Sequence, residues 1–322
     1  MKNKKWIALA AAVVLAVTAL PMGVFAAKKD STEEKLTKVT LNEVAHSIFY
    51  APQYVAIEEG YFAEKGLDLT LVTGFGADKT MTAVISGEAD IGFMGAEASV
   101  YAYQEGATDP VVNFAQLTQR AGNFLVAREE MPDFKWEDLK GEKVLGGRKG
   151  GMPEMVFEYI LKKNGIDPQK DLTIDQSIDF GSTAAAFTSD DSAAYTVEFE
   201  PSATILEKEG AGYVVASLGE ASGYVPYTSY STKASYMKEN PEIIQKFTDA
   251  LQKGMDYVQN HTPEEIAEVI APQFKETDLE TITAIVKRYY DQDTWKENLI
   301  FEKDSFELLQ DILEDAGELT ED

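Results

Sequence analysis

The sequence predicts an α/β chain made of two successive units of alternating short strands and helices, followed by a last third that is almost wholly helical. Three observations carry this. From Val39 onward, short apolar and β-branched runs alternate with stretches whose apolar residues recur at helical spacing. The same alternation begins again near residue 143, after a break. Beyond residue 240 the strand signal stops and amphipathic helical periodicity takes over.

Residues 38–42 read as the first strand, 52–59 as a helix and 69–72 as the second strand, then 80–86 as a helix closed by Gly87 and 90–94 as the third strand. A βαβαβ order implies right-handed crossovers and a parallel sheet, with ligands expected at the loops leaving the carboxyl ends of its strands. In the second unit, 143–146 is a strand and GGRKGGM a Gly-rich turn. Pro153 suits the first position of a helix over 154–163, and Asn164-Gly165 is its stop signal. A strand at 172–174, a short helix at 182–187 and a strand at 194–198 follow.

In the last third, Asn240-Pro241 opens a helix with Ile243, Ile244, Phe247, Leu251 and Val258 on one face. Thr262-Pro263-Glu264-Glu265 is a capping box in which Glu265 returns to the Thr262 amide. Stretches 278–290 and 305–315 complete four amphipathic helices, whose exposed faces carry much of the excess acid.

The N-terminus is set apart. Lys2, Lys4 and Lys5 precede an uncharged Ala/Val/Leu-rich run from Ile7 to Leu20, Pro21 breaks it, and Val24-Phe25-Ala26 has small or branched residues where a signal peptidase reads. Residues 1–26 are therefore expected to be a secretory signal peptide and 27–37 a polar tether. The competing reading is an uncleaved anchor, since 7–25 reaches the low end of the roughly 17–25 residues that span a bilayer. Either places the rest of the chain outside the cytoplasmic membrane.

Composition narrows the function. The 322 residues hold 29 Lys+Arg against 55 Asp+Glu, a formal charge of −26, so a phosphate-neutralising stripe for nucleic acid is not expected. Loss of 1–26 would remove three lysines and make the balance more acidic still. No cysteine is present, which excludes disulfides, Cys nucleophiles, thiolate metal sites and an acylated lipoprotein cysteine. With only His46 and His261, a His-rich metal site is not expected. There is no GxSxG elbow, HExxH, GxGxxG or Walker loop, so catalysis finds little support and no cofactor is expected.

Binding residues are sought in the loops. Gly74-Phe75-Gly76-Ala77-Asp78 and residues 146–152 each link a strand to a helix, where free amides favour polar or anionic groups. Residues 46–52, His46 through Phe49 and Tyr50 to Pro52, give rings and polar tips in the loop after the first strand, as a site for a flat or amphiphilic molecule needs. Three further segments lie at transitions between blocks: 119–124 with Arg120 and Asn123, 199–201 with Phe199 and Glu200, and 226–229 with Tyr227. Glu200 can accept from an amine or ring N–H, whereas Arg120 and Arg148 can meet an anion.

Taken together, the basic-apolar start, YVAIEEGYFAEKGL at 54–67, SGEADIG at 86–92, the hinge-like FLVAR and KGEKVLGGRKGG resemble the solute-binding components of ABC importers. The resemblance is to the NMT1/THI5-like and SsuA/TauA-like group, which serves thiamine pyrimidine precursors, riboflavin-type heterocycles, sulfonates, taurine and nitrate. It covers about residues 38–317. It implies a type 2 periplasmic-binding-protein fold of two α/β lobes, 38–124 plus 225–322 and 125–224, joined by two crossovers around a ligand cleft. It also implies a small-molecule ligand, hinge closure, docking on a membrane permease with its ATPase, and a monomer.

By analogy the ligand is lined by His46, Phe49 and Tyr50, by Gly76 and Ala77, and by Gly95, Ala96 and Glu97. Arg120 and Asn123 approach at the first crossover, Gly150, Gly151 and Met152 from the second lobe, with Phe199, Glu200 and Tyr227 nearby. Pyrimidine synthases on this fold carry a cysteine-rich motif and a histidine that aligns with Tyr50, so the absence of both argues against an enzyme. The rings with Glu200 favour a nitrogen heterocycle; the two helix-leading turns with Arg120 and Arg148 favour a sulfonate or similar anion.

Overall fold

A computed structural model describes residues 35–178 and 180–319. The segment 1–26, expected to be a signal peptide, and most of the expected tether 27–37 lie outside the described residues. Among those described, no helix is long and apolar enough to cross a membrane.

Two five-stranded sheets organise the chain. The first contains β1 (Thr37–Glu43), β2 (Leu67–Thr73), β3 (Ile91–Met94), β4 (Val111–Thr118) and the late strand β10 (Thr228–Lys233), in the order β2-β1-β3-β10-β4. The second contains β5 (Phe124–Ala127), β6 (Lys143–Leu145), β7 (Thr173–Asp175), β8 (Tyr195–Glu198) and β9 (Tyr213–Ser217), in the order β7-β6-β8-β5-β9. Each retains a parallel kernel: β1 between β2 and β3, and β6 between β7 and β8.

The strands expected from the sequence are those of the parallel kernels, and β5 and β10, which the sequence does not announce, make both sheets mixed. β10 runs antiparallel to β3 and β4, and β5 antiparallel to β8 and β9. The cause is connectivity. β5 and β10 are the strands that receive the chain from the other sheet, over residues 119–123 and over 218–227 with its five-residue helix Leu218–Ser222, rather than through a βαβ crossover within one sheet. Both crossings place short loops between the sheets.

Helices cover the sheets as the periodicity requires. The helix Ala51–Glu58 is buried continuously from Ala51 to Ala56, because Pro241–Asn260 seals it from outside with Phe247, Leu251 and Met255. Gly254 lets the two approach, since a Cβ there would strike the Pro52 carbonyl. The capping box forms as expected: Thr262 Oγ1 accepts from the Glu265 amide at 3.3 Å and the Glu265 carboxylate accepts from the Thr262 amide at 2.9 Å. The tail touches both sheet units. Leu279–Asp291 packs on Ser202–Lys208, and Lys303–Asp315 on Met152–Lys163.

Candidate functional site

The two crossovers bring four of the expected rings together. After β1, Ser47 caps the short turn Ile48–Tyr50 by accepting from the Phe49 amide at 3.3 Å, and the Trp295 indole donates to the Phe49 carbonyl at 2.8 Å. Phe49 is thereby fixed with its centroid 5.3 Å from Tyr50, 5.6 Å from Phe199 and 5.7 Å from Tyr227, the last two edge-on. Edge-to-face contact of this kind sets the positive rim of one ring against the negative face of another. Phe199 leaves the end of β8, so residues of both sheets share the cluster. Gly122 on the first crossover must lack a side chain: a Cβ would lie 2.6 Å from Phe199 and 2.7 Å from Phe49.

Two polar side chains border the rings with unused hydrogen-bonding capacity. Asn123 is fully buried; its Oδ1 accepts from the Tyr227 hydroxyl at 2.8 Å, whereas its Nδ2 has no partner. Glu97 is 5% exposed and begins the helix Glu97–Gln104 just past β3. Its carboxylate folds back over Gly95, beside buried Ala96, and accepts from the amides of Glu97 and Ala98, but Oε2 has no partner. Burial pushes this carboxyl up to about 7, outweighing those amides and the nearby Arg148 guanidinium. Glu97 in turn raises the hydroxyl pKa values of Tyr50 and Tyr227, whose main cause is burial, so the three lie in one another's field.

The remaining expected residues have other surroundings. His46 sits at the surface side of its loop, with Nδ1 2.8 Å from Glu43, Nε2 3.0 Å from the Gln273 carbonyl and its ring against Tyr54 and Phe274. Glu200 is buried but already engaged: Arg288 lies 2.5 Å from Oε1, and Thr204 donates through its amide at 2.9 Å and its hydroxyl at 3.0 Å. A ligand amine would have to displace these. Arg120 donates to the Gly219 carbonyl at 3.1 Å and lies 4.2 Å over the Tyr224 ring, while its buried Nε has no partner. Gly76 and Ala77 form the half-buried turn after β2, where the Gly76 amide donates to Val44. Gly150 offers its carbonyl to the Tyr101 hydroxyl at 3.2 Å, a bond between the two sheet units, while Gly151 and Met152 start the helix behind it.

Several polar residues here have no motif to announce them. Glu43, at the end of β1 with no exposure, accepts from Gln53 and Tyr54 at 2.8 Å and Thr73 at 3.2 Å, and meets His46. Glu198, ending β8, is held by Thr196 at 2.6 Å and Thr183 at 3.1 Å, and burial raises it to about 7. Their only sequence signal is a carboxylate closing a strand, which exposed strand ends share. Among the described residues no group of three His, Asp or Glu side chains could hold a metal ion.

Comparison with known proteins gives the same picture. The model of the family described as NMT1/THI5 like matches residues 48–266. The chain is 48% identical over 295 residues to YtlA of Bacillus subtilis, whose name says binding protein without a ligand, covering 92% of this chain and 88% of that one. It is 25% identical to the riboflavin-binding protein RibY of Chloroflexus aurantiacus, covering 71% and 65%. With the pyrimidine phosphate synthase THI11 of Saccharomyces cerevisiae it shares 24% identity, covering 65% and 63%. Among solved structures, the alkanesulfonate-binding protein SsuA of Xanthomonas axonopodis superposes with TM-score 0.70 at 14% identity, covering 89% and 96%. The nitrate-binding protein NrtA of Synechocystis gives 0.65 at 18%, covering 79% and 70%. The fold is that of the periplasmic binding proteins, and the chain belongs to the NMT1/THI5-like family of solute-binding proteins.

Proposed function

We propose that the protein is the extracytoplasmic solute-binding component of an ABC importer, closing two sheet-centred lobes over a nitrogen heterocycle and presenting it to a membrane permease with its ATPase. The observation that carries this is the ring cluster at the crossovers, where Phe49 and Tyr227 meet Phe199 from the other sheet and Tyr50 packs on Phe49. Rings assembled from both sides of a two-crossover joint separate when the joint opens and can clasp a flat solute when it closes. The solute's preference for the closed form is the source of the closure free energy.

The heterocycle is favoured over an anion by the charges at the rings. Glu97 acts on Tyr50 and Tyr227 through its charge, while Arg120 donates to Gly219 and stacks on Tyr224, keeping only its buried Nε without a partner. The name of RibY supports the same class. A sulfonate or nitrate reading draws on SsuA and NrtA and on exposed Arg148 in the Gly-rich turn. We read the protein as a monomeric binder without turnover, because Tyr50 stands where the synthases align a histidine and no cysteine exists.

Thermal melting with aminopyrimidine and riboflavin against taurine, alkanesulfonates and nitrate tests the reading. A true ligand at 100 times its Kd stabilises by about 2.7 kcal/mol. A shift with taurine, the alkanesulfonates or nitrate alone overturns the heterocycle; iron-dependent product formation overturns the binder.

A further inference from the structure

Within the proposed binding role, which this inference presupposes, Glu97 and Asn123 are two of the buried side chains that keep an unpaired polar atom, the others among the described residues being Arg120, Ser222 and Ser231. Glu97 and Asn123 are more than nine-tenths buried and each has one atom without a partner; Asn123 is bonded to the Tyr227 hydroxyl, and Glu97 acts on Tyr227 and Tyr50 through its charge. The two atoms are complementary: Glu97 Oε2 accepts, and Asn123 Nδ2 donates. Leaving either atom unpaired costs the desolvation of a polar group with nothing returned, so the bonds that Asn123 Oδ1 and the rest of the Glu97 carboxylate make do not account for these two atoms.

We infer that Glu97 and Asn123 are the specificity pair of the cleft: Glu97 Oε2 accepts from an N–H of the solute, and Asn123 Nδ2 donates to a ring nitrogen or carbonyl. The solute class this selects is a planar heterocycle with a donor and an acceptor on one edge, such as an aminopyrimidine or the imide edge of a flavin. Sulfonate and nitrate present acceptors only and leave the Glu97 carboxylate without a donor. Glu97 also lies in the field of Arg148 from the facing Gly-rich turn, and Tyr50, Tyr101 and Tyr227 are the other titratable groups around it. With its carboxyl held near neutrality by burial, binding to an N–H favours the ionised form and releases a proton near pH 7.

Calorimetry on the purified protein tests this with matched pairs: 4-amino-2-methylpyrimidine against 2,4-dimethylpyrimidine, and riboflavin against its N3-methyl derivative. The expected result is at least tenfold preference for the N–H partner in one pair. Glu97→Ala and Asn123→Ala should each abolish that preference, and Glu97→Gln should abolish the proton release read from buffers of different ionisation enthalpy. Glu97→Gln, which keeps the side chain's size and an oxygen for the Glu97 and Ala98 amides, should not lower the melting midpoint of the ligand-free protein, which loss of a structural carboxylate would do. Wild-type preference retained within twofold in Glu97→Ala overturns the inference and leaves the heterocycle reading intact. Equal weakening of every solute by Glu97→Ala and Arg148→Ala makes the two a closure latch and also overturns it. If neither pair binds but taurine does, the heterocycle reading falls and the inference with it.

Discussion

Glu43 illustrates how a residue can be decisive without being legible. Its carboxylate has no solvent exposure and meets the side chains of Gln53, Tyr54, Thr73 and His46. Glu43→Ala would strand several buried donors at once, and we expect a loss of about 3 kcal/mol or more in denaturant unfolding, with Glu43→Gln milder. Gly122 is the steric counterpart. Gly122→Ala sets a methyl against Phe49 and Phe199 and should cost about 1–3 kcal/mol while weakening any ligand held by those rings, measured by melting and calorimetry. In the sequence Gly122 is one of 23 glycines and Glu43 one of 55 acids, so neither type nor spacing separates them. The rings were legible because Phe49 and Tyr50 leave the carboxyl end of a strand. The engagement of Glu200 could not be read in the same way, because its partner Arg288 lies 88 positions away.

At the scale of elements, the motifs most diagnostic of the family turn out to be structural joints. In YVAIEEGYFAEKGL, Gly60 and Gly66 take φ of 72° and 80°, left-handed values that stop one helix turn and start the next strand. In SGEADIG, Gly87 ends a helix at φ 81°, the Asp90 carboxylate accepts from the Thr40 amide at 2.8 Å, and Gly92 admits Val84 within 2.7 Å of a Cβ position. Helix starts and stops were readable, being local chemistry. β10 was not: its TSYSTK sequence looks like a polar loop, yet it is buried in mid-sheet with Thr228 paired to Thr118, Ser229 to Asn113 and Thr232 to the Asp90 carbonyl. The helix Leu279–Asp291 fastens the second unit through Arg288, which bridges Glu200 and Glu207 at 2.5 Å each. Arg288→Ala leaves Glu200 buried and unpaired, and we expect about 3–5 kcal/mol of destabilisation, seen in urea unfolding.

For the whole molecule, buried acids set the pH response. Burial raises Glu97 and Glu198 to about 7 and, with the adjoining Glu158 carboxylate, Glu154 to about 8, from an ordinary value of 4.5. Between about pH 4.5 and 8 the folded state therefore holds more protons than the unfolded state, so stability falls as pH rises. His46, raised chiefly by Glu43, acts in the same sense: its contribution is full below 6.5 and is lost as pH rises through its folded value. Self-repulsion in a chain of charge −26 adds to the trend. The melting midpoint of the ligand-free protein should decline steadily from about pH 5 to 8, and the Glu97→Gln, Glu154→Gln, Glu198→Gln triple variant should flatten that decline. A midpoint that climbs over this range would refute the assignment.

The sequence by itself determined the alternation of elements, the helical last third, the caps and glycine joints, and the family, because each is written in residues close along the chain. Only the tertiary structure decided the antiparallel strands, the meeting of Phe49 with Phe199 and Tyr227, the engagement of Glu200 and Arg120, and the unpaired atoms of Glu97 and Asn123. Those depend on which distant groups share a buried volume, and whether a buried charge is paired or free is a property of that neighbourhood rather than of its own residue.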